Sequence, residues 1–303
     1  MSGRRRRWAG PGAGFLVPAL PYAWLALFLV LPLVVVFRIS LSEPVLATPP
    51  YTPLLGADPA GGVRWLGSLK NYAFLIGDPL YIKAYLNSLR IAATATLVCL
   101  LIGYPMAYAI VRAPESWRVA LVMLIVLPFW TSFLIRVYAW IGLLKANGLI
   151  NNALIALGLI ETPLPLLYNE FAVHLGIVYS YLPFMVLPLY ATLARMDWRL
   201  VEAASDLGCR PFRAFLAVTL PLSLPGVAAG TLLVFIPAVG EFVIPDLLGG
   251  SGTLMIGKVL WTEFFANRDW PLASAAALAM LALLVLPIAL LGRARGAQDR
   301  RGD

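Results

Sequence analysis

The sequence predicts an all-α integral membrane protein of six transmembrane helices, and three observations carry that expectation. Only 13% of the 303 residues are charged and 61% are hydrophobic, where a soluble domain carries about 25% charged residues. The charges gather in short stretches and leave six long apolar runs, at 15–37, 91–111, 119–144 (broken by Arg136), 171–194, 214–240 and 271–292. Each run is 21 to 27 residues long, and at a rise of about 1.5 Å per residue each reaches across a hydrocarbon core of about 30 Å. Segments of about ten residues with alternating polarity, the mark of a membrane barrel, do not occur.

The sorting of basic residues sets the orientation, because cytoplasmic loops are enriched in Lys and Arg. With the N-terminus inside, the inner face receives Arg4 to Arg7, Arg112, Arg118, Arg195, Arg199, Arg210, Arg213, Arg293, Arg295, Arg300 and Arg301. That is fourteen of the 23 basic residues, against seven on the longer outer loops 38–83, 145–170 and 241–270. Both termini are therefore expected in the cytoplasm, and this topology accounts for the net charge of +8 without a nucleic-acid partner.

The first element is a basic cytoplasmic N-terminus, 1–14, ahead of a transmembrane domain expected over 15–293. Four arginines before an apolar run also describe a secretory leader, but the 23-residue run 15–37 is too long for one and lacks a small-residue cleavage site. It reads as a retained first span. The second span holds Cys99, which cannot meet Cys209 in a polar loop, so both read as free thiols. The third carries Arg136 among Trp130, Tyr138 and Trp140. The arginine either snorkels to the outer interface or balances an acid within the bundle. The aromatic residues read as an interfacial belt, with a passing cation over their faces as the alternative. His174, in the fourth span, has no ligand set around it.

Between spans four and five lies the inner loop 195–218, the most informative stretch. Asp197 suits an N-cap, and 198–207 reads as a short amphipathic helix. Gly208 suits a left-handed helix end, and Pro211 suits the first turn of a second helix running into span five. A helix, a tight turn and a second helix can present a rigid knob to a cytoplasmic partner.

Span five contains Gly226-x-x-x-Gly230, which permits close helix approach. It ends at Pro237, Gly240 and Pro245, around Glu241. A carboxylate at that depth faces either a pathway or an intrasubunit partner, Arg136 or Lys258. Downstream, 252–259 (GTLMIGKV) nearly spells a nucleotide-binding P-loop, but Val259 has no hydroxyl for magnesium and the segment lies on the expected outer face. The sixth span, 271–292, leads to a cytoplasmic tail, 294–303. No catalytic cluster, metal-ligand set or cofactor motif stands out.

The loop is where a resemblance becomes specific. Glu202-Ala203-Ala204, three residues, Gly208, nine residues, Val218, one residue and Leu220-Pro221 resemble the EAA loop of ATP-binding-cassette (ABC) importer permeases. Val218 stands where isoleucine is commoner. Over roughly 20–290, SLKNYAFL, YLNSLRIA, NGLINNAL and YLPFMVLPLYATL look like the spermidine/putrescine class, and GEFVIPDLLGG resembles the putrescine-type branch most.

The resemblance implies a type I importer permease fold in the bacterial inner membrane. It implies a coupling loop in which Glu202, Ala203, Ala204, Gly208, Leu220 and Pro221 serve contact with an ATPase, and a path to which Glu241, Trp130 and Tyr138 are candidates. It also implies partners: a dimer of ABC ATPase subunits that uses the ATP, a second homologous permease, an extracytoplasmic solute-binding protein and surrounding lipid. The chain itself is then no enzyme and binds no cofactor or metal. Permeases for iron(III), sulfate and similar solutes share the framework, and a self-contained secondary carrier is the competing class.

Overall fold

In a computed structural model of the chain, residues 13–57 and 63–285 are described. They form helices joined by loops, with a single two-stranded hairpin, and divide into two compact units. The basic N-terminus, the tail 294–303 and the end of the sixth run lie outside the described residues.

The first unit holds the chain up to Asp78 and from Thr262 onward. Helix α1 comprises Ala13–Leu25, a π-turn at Ala26–Val30 and Leu31–Ser40. Its apolar stretch Pro18–Ser40 is long enough to span a membrane. Strands β1 (Leu55–Ala57) and β2 (Val63–Trp65) pair antiparallel, with Leu55 opposite Trp65. Helix α2 (Lys70–Gly77) then returns to the end of α1. Asn71 Nδ2 donates to Ser40 O at 2.8 Å and to Ser42 O at 2.9 Å, and the Tyr72 and Ser40 hydroxyls meet at 2.8 Å. These bonds satisfy carbonyls that a helix end leaves open.

The second unit, Pro79–Trp261, is built on three long helices packed on one another. Helix α3 (Pro79–Arg112) is 34 residues, about 50 Å at 1.5 Å per residue, so it extends well beyond the apolar run 91–111. After it come α4 (Glu115–Val126), α5 (Phe133–Leu144), α6 (Leu149–Ala156) and α7 (Glu170–Leu193). Then follow α8 (Arg199–Asp206), α9 (Pro211–Val239, with a π-turn at Phe215–Thr219), α10 (Val243–Leu248) and α11 (Ile256–Trp261). Cys99 and Ala107 of α3, Met185, Val186, Leu189 and Leu193 of α7, and Val234 of α9 form a common buried core.

Small residues set the α7–α9 distance. A Cβ built on Gly226 would stand 2.6 Å from Thr192 Oγ1, and one on Gly230 would stand 2.8 Å from Met185 Sδ. The expected Gly-x-x-x-Gly contact is thus the seam between these two helices. Tyr104 and Ser223 bridge α3 and α9 by a buried hydroxyl pair at 2.8 Å.

The third expected span differs from its prediction. Residues 119–144 do not form one helix: α4 ends at Val126, a 3₁₀ turn spans Leu127–Trp130, and Thr131 and Ser132 are extended (ψ 152° and 137°) before α5. Pro128 supplies the reason, since it has no N–H for the helical ladder and its ring crowds the preceding turn. The stretch of spanning length is instead Phe133–Ala156, itself stepped at 145–148. Among the described residues five helical stretches are long and apolar enough to cross a membrane. The sixth run appears as Trp270–Val285, an apolar helix α12 whose first turn is capped by Asp269 Oδ1 accepting from Leu272 N–H at 2.9 Å.

Candidate functional site

Two places bring the expected residues together. The first is the loop between α7 and α9. Asp197 Oδ1 accepts the Arg199 N–H at 3.1 Å, and α8 follows as expected. Gly208 closes it with φ +82°. Cys209 N–H reaches Ala204 O at 3.0 Å and Gly208 N–H reaches Ser205 O at 2.9 Å, the paired bonds of a Schellman ending. Arg210 is extended (ψ 149°) ahead of Pro211, as the residue before a proline prefers.

The three residues of the EAA motif do not face the same way. Glu202 and Ala203 are exposed, whereas Ala204 and Val201 are half-buried on the side that packs against α9. Leu200, Ala203 and Leu207 fall at i, i+3 and i+7 and form an exposed apolar stripe, with Leu207 89% exposed. Phe212 continues it at 72% exposed. Leu220 and Pro221 lie more than two turns into α9, where Leu220 N–H reaches back five residues to Phe215 O. The proline thus follows a π-turn that shifts the backbone ladder beside its missing N–H.

The loop is fastened to α3 by aromatic contacts that the sequence did not single out. Trp198 packs edge-on against Tyr108 with centroids 5.8 Å apart, and the Arg112 guanidinium lies 5.2 Å from the Trp198 ring. Phe215 packs edge-on against Tyr104 at 5.5 Å and against Tyr108 at 6.3 Å. The knob therefore rests on the C-terminal end of α3 at both its ends.

The second place is a cavity of about 520 Å³ in the second unit, lined by Phe129, Phe133, Arg136, Ser180, Tyr181, Phe184, Glu241 and neighbours. Two helix interruptions face it: the 3₁₀ break after α4 and the gap between α9 and α10. Glu241 is 8% exposed. Its Oε2 accepts from the Tyr181 hydroxyl at 2.5 Å, and its Oε1 accepts from the N–H groups of Val243 and Ile244 at 3.1 and 3.4 Å. The carboxylate caps the N-terminus of α10, where a negative charge complements the open donors.

Arg136 is the counterpart at the other break. Its Nη1 donates to Pro128 O at 2.8 Å, and its guanidinium carbon lies 5.2 Å and 5.8 Å from the Phe129 and Phe133 ring centroids. Its Nε is buried without a hydrogen-bond partner. Neither expected partner of Glu241 pairs with it. Arg136 shares the cavity but makes no ion pair with it, and Lys258 Nζ lies 3.2 Å from Asp246 Oδ1. Both charges are thus held by backbone groups at helix interruptions, a solution that pairwise charge matching in the sequence overlooks.

Trp130 and Tyr138 lie elsewhere. They are 80% and 59% exposed and do not line the cavity, while Trp140 packs edge-on against Tyr179 at 5.4 Å. Tyr181 and Phe184, which do line it, sit in YLPFMVLP, a stretch without a charge or spacing signal. The near-P-loop has a packing role: a Cβ on Gly257 would stand 2.4 Å from Gly240 O and 2.5 Å from Glu241 O. That glycine lets α11 pass over the carbonyls of the break, and Phe242 stacks on Trp261 at 4.4 Å beside it. Ser88 Oγ accepts the Ile256 N–H at 2.7 Å and ties α11 to α3. Farther along α3, Arg90 pairs with Glu170, and His174 Nε2 meets Thr94 Oγ1 at 2.7 Å.

The family described as binding-protein-dependent transport system inner membrane component matches residues 1–301. The chain is 39% identical over 283 residues to the spermidine/putrescine transport system permease protein PotB of Haemophilus influenzae, covering 93% of this chain and 94% of that protein. It is 39% identical over 271 residues to the PotB of Escherichia coli, covering 89% and 94%. Among solved structures, a chain of a bacterial ABC transporter involved in the import of the acidic polysaccharide alginate superposes with a TM-score of 0.66 at 17% identity, covering 92% of this chain and 94% of that one. The likeness extends the type I permease fold to this chain.

Proposed function

The chain belongs to the binding-protein-dependent transport system inner membrane component family, and we propose that it serves as one of two permease subunits of an ATP-driven polyamine importer. It is a multi-pass protein of the bacterial inner membrane and a transport subunit rather than an enzyme. In this reading a solute-binding protein delivers substrate to the outer face. A second, homologous permease encloses the path, and lipid surrounds the pair. Two separate ATPase subunits bind and hydrolyse the ATP, so this chain carries no cofactor of its own. The transmembrane domain is 15–293, with 1–14 and 294–303 on the cytoplasmic side.

The observation that supports coupling is the geometry of α8. A short helix held at both ends leaves Leu200, Ala203 and Leu207 free on one face, with Glu202 exposed outside that stripe. Alanine permits close approach, and the carboxylate offers a charged acceptor at the rim. A groove on an ATPase subunit is the occupant this face fits. Gly208, Leu220 and Pro221 then act by setting the angle between α8 and α9.

Support for a cationic substrate comes from the PotB likeness and from the cavity. Glu241 presents a buried carboxylate beside the Tyr181, Phe129 and Phe184 rings, a combination suited to an alkylammonium. Trp130 and Tyr138, both exposed and outside the cavity, are proposed to meet the second permease along the path. Copurification tests the architecture. Wild-type chain expressed with its partners brings down an ATPase, and Glu202→Lys loses it while still inserting in the membrane. Retention of the ATPase by that variant, with normal uptake, would remove α8 from the coupling role.

A further inference from the structure

The cavity that contains the anionic site also contains a fixed cation. In a path for cations this is a paradox. The Arg136 guanidinium sits 5.2 Å from Phe129 and 5.8 Å from Phe133, so two of the aromatic rings lining the cavity already hold a cation. It is held there loosely for a charged group, by one hydrogen bond to Pro128 O and with a buried Nε left unpaired. The same cavity is lined by Glu241, whose oxygens are engaged by Tyr181 and by two N–H groups of α10. No ion pair joins the two charges, so the arginine offsets the carboxylate's field without covering it.

We propose that Arg136 is a resident cation that competes with the substrate for this cavity and keeps its affinity for polyamines low. The proposal rests on the reading of the cavity as part of the path. A conducting site must attract its substrate and still release it. A lone buried carboxylate among aromatic rings would hold a diammonium or triammonium tightly. A guanidinium in the same cavity repels each ammonium that enters and restores the empty state by reoccupying the rings. Arg136 would then determine specificity by valence: its repulsion grows with the number of positive charges on the solute.

The guanidinium also supports the break through Pro128 O, so the test must separate charge from structure. Radiolabelled putrescine and spermidine are bound at equilibrium to the purified permease–ATPase complex without the solute-binding protein, which would otherwise set the apparent affinity. Arg136→Gln keeps a donor for Pro128 O and removes the charge. It is expected to bind putrescine roughly tenfold more tightly than wild type, the size of one charge interaction across a partly screened cavity, and spermidine by a larger factor. Arg136→Lys is expected to stay near wild type. Should Arg136→Gln fail to assemble, Arg136→Met, with an apolar stem for the Phe129 and Phe133 faces, carries the same expectation. Glu241→Gln weakens binding if the cavity is the polyamine site.

Equal or weaker binding by the neutral variants, or a gain that is the same for both polyamines, would overturn the role of Arg136 while leaving the cavity's reading intact. Unchanged binding in Glu241→Gln as well would overturn that reading itself.

Discussion

The Tyr181 hydroxyl donates to Glu241 Oε2 at 2.5 Å, and this single contact joins the middle of α7 to the interruption between α9 and α10. With its other oxygen on the N–H groups of Val243 and Ile244, the carboxylate ties three helices at one point. A buried charge of this kind is stabilised by hydrogen bonds rather than by a counter-ion. Removal of a bond to a charged group costs about 1.5–3 kcal/mol. Tyr181→Phe is accordingly expected to lower the thermal stability of the purified complex by a few degrees and to slow polyamine uptake. Melting followed by intrinsic fluorescence, beside uptake in cells, checks both effects.

Gly208 makes a cleaner backbone test. Its φ of +82° is one that L side chains rarely adopt, yet nothing lies within 4 Å of a Cβ built there. Gly208→Val therefore acts through strain alone, about 1–2 kcal/mol. The expected result is a normally inserted chain whose ATPase activity is no longer stimulated by the loaded binding protein. Gly208→Asn, which tolerates the left-handed region better, is expected to retain more of the stimulation.

The α7–α9 seam predicts a contrast between two glycines. Gly230→Leu drives a side chain into Met185, and the two helices cannot close, so the chain is expected to accumulate poorly and to be degraded. Gly142→Ala, where nothing lies within 4 Å, is expected to accumulate as wild type. Immunoblots of membrane fractions distinguish them.

The aromatic clamp on the coupling loop gives a fourth expectation. Trp198→Ala removes both the Tyr108 contact and the ring beneath Arg112. A cation–π contact at a half-exposed site contributes about 0.5–1 kcal/mol, too little to unfold the chain but enough to loosen α8. Uptake is expected to fall severalfold with the amount of inserted protein unchanged, read by uptake normalised to a membrane immunoblot.

Much of this was legible in the sequence where the signal is local. Asp197, Gly208 and Pro211 announce a helix start, a helix end and a second start; Asp197 Oδ1 accepts the Arg199 N–H, Gly208 has φ +82° and Pro211 opens α9. Gly226 and Gly230 announce a close contact, though only packing identifies α7 as the partner. The third span differs from its expectation because hydropathy is blind to Pro128 in a mostly apolar run. Glu241 was assigned the wrong partners for a related reason. Charge matching looks for an opposite side chain, whereas this carboxylate is satisfied by backbone N–H groups and a tyrosine. Tyr181 and Phe184 carry no pattern of their own and become visible only when α7 is packed against the two breaks.

Polyamine import coupled through α8 is measured as uptake of radiolabelled putrescine and spermidine into cells expressing the complete transporter, with the wild-type chain or with Glu202→Lys. Energy-dependent accumulation is expected with the wild type and is lost in the variant at equal membrane abundance. Accumulation unaffected by Glu202→Lys would contradict the coupling of this chain to an ATPase through α8. Absence of polyamine uptake with a wild-type transporter that takes up another solute would contradict the assigned substrate.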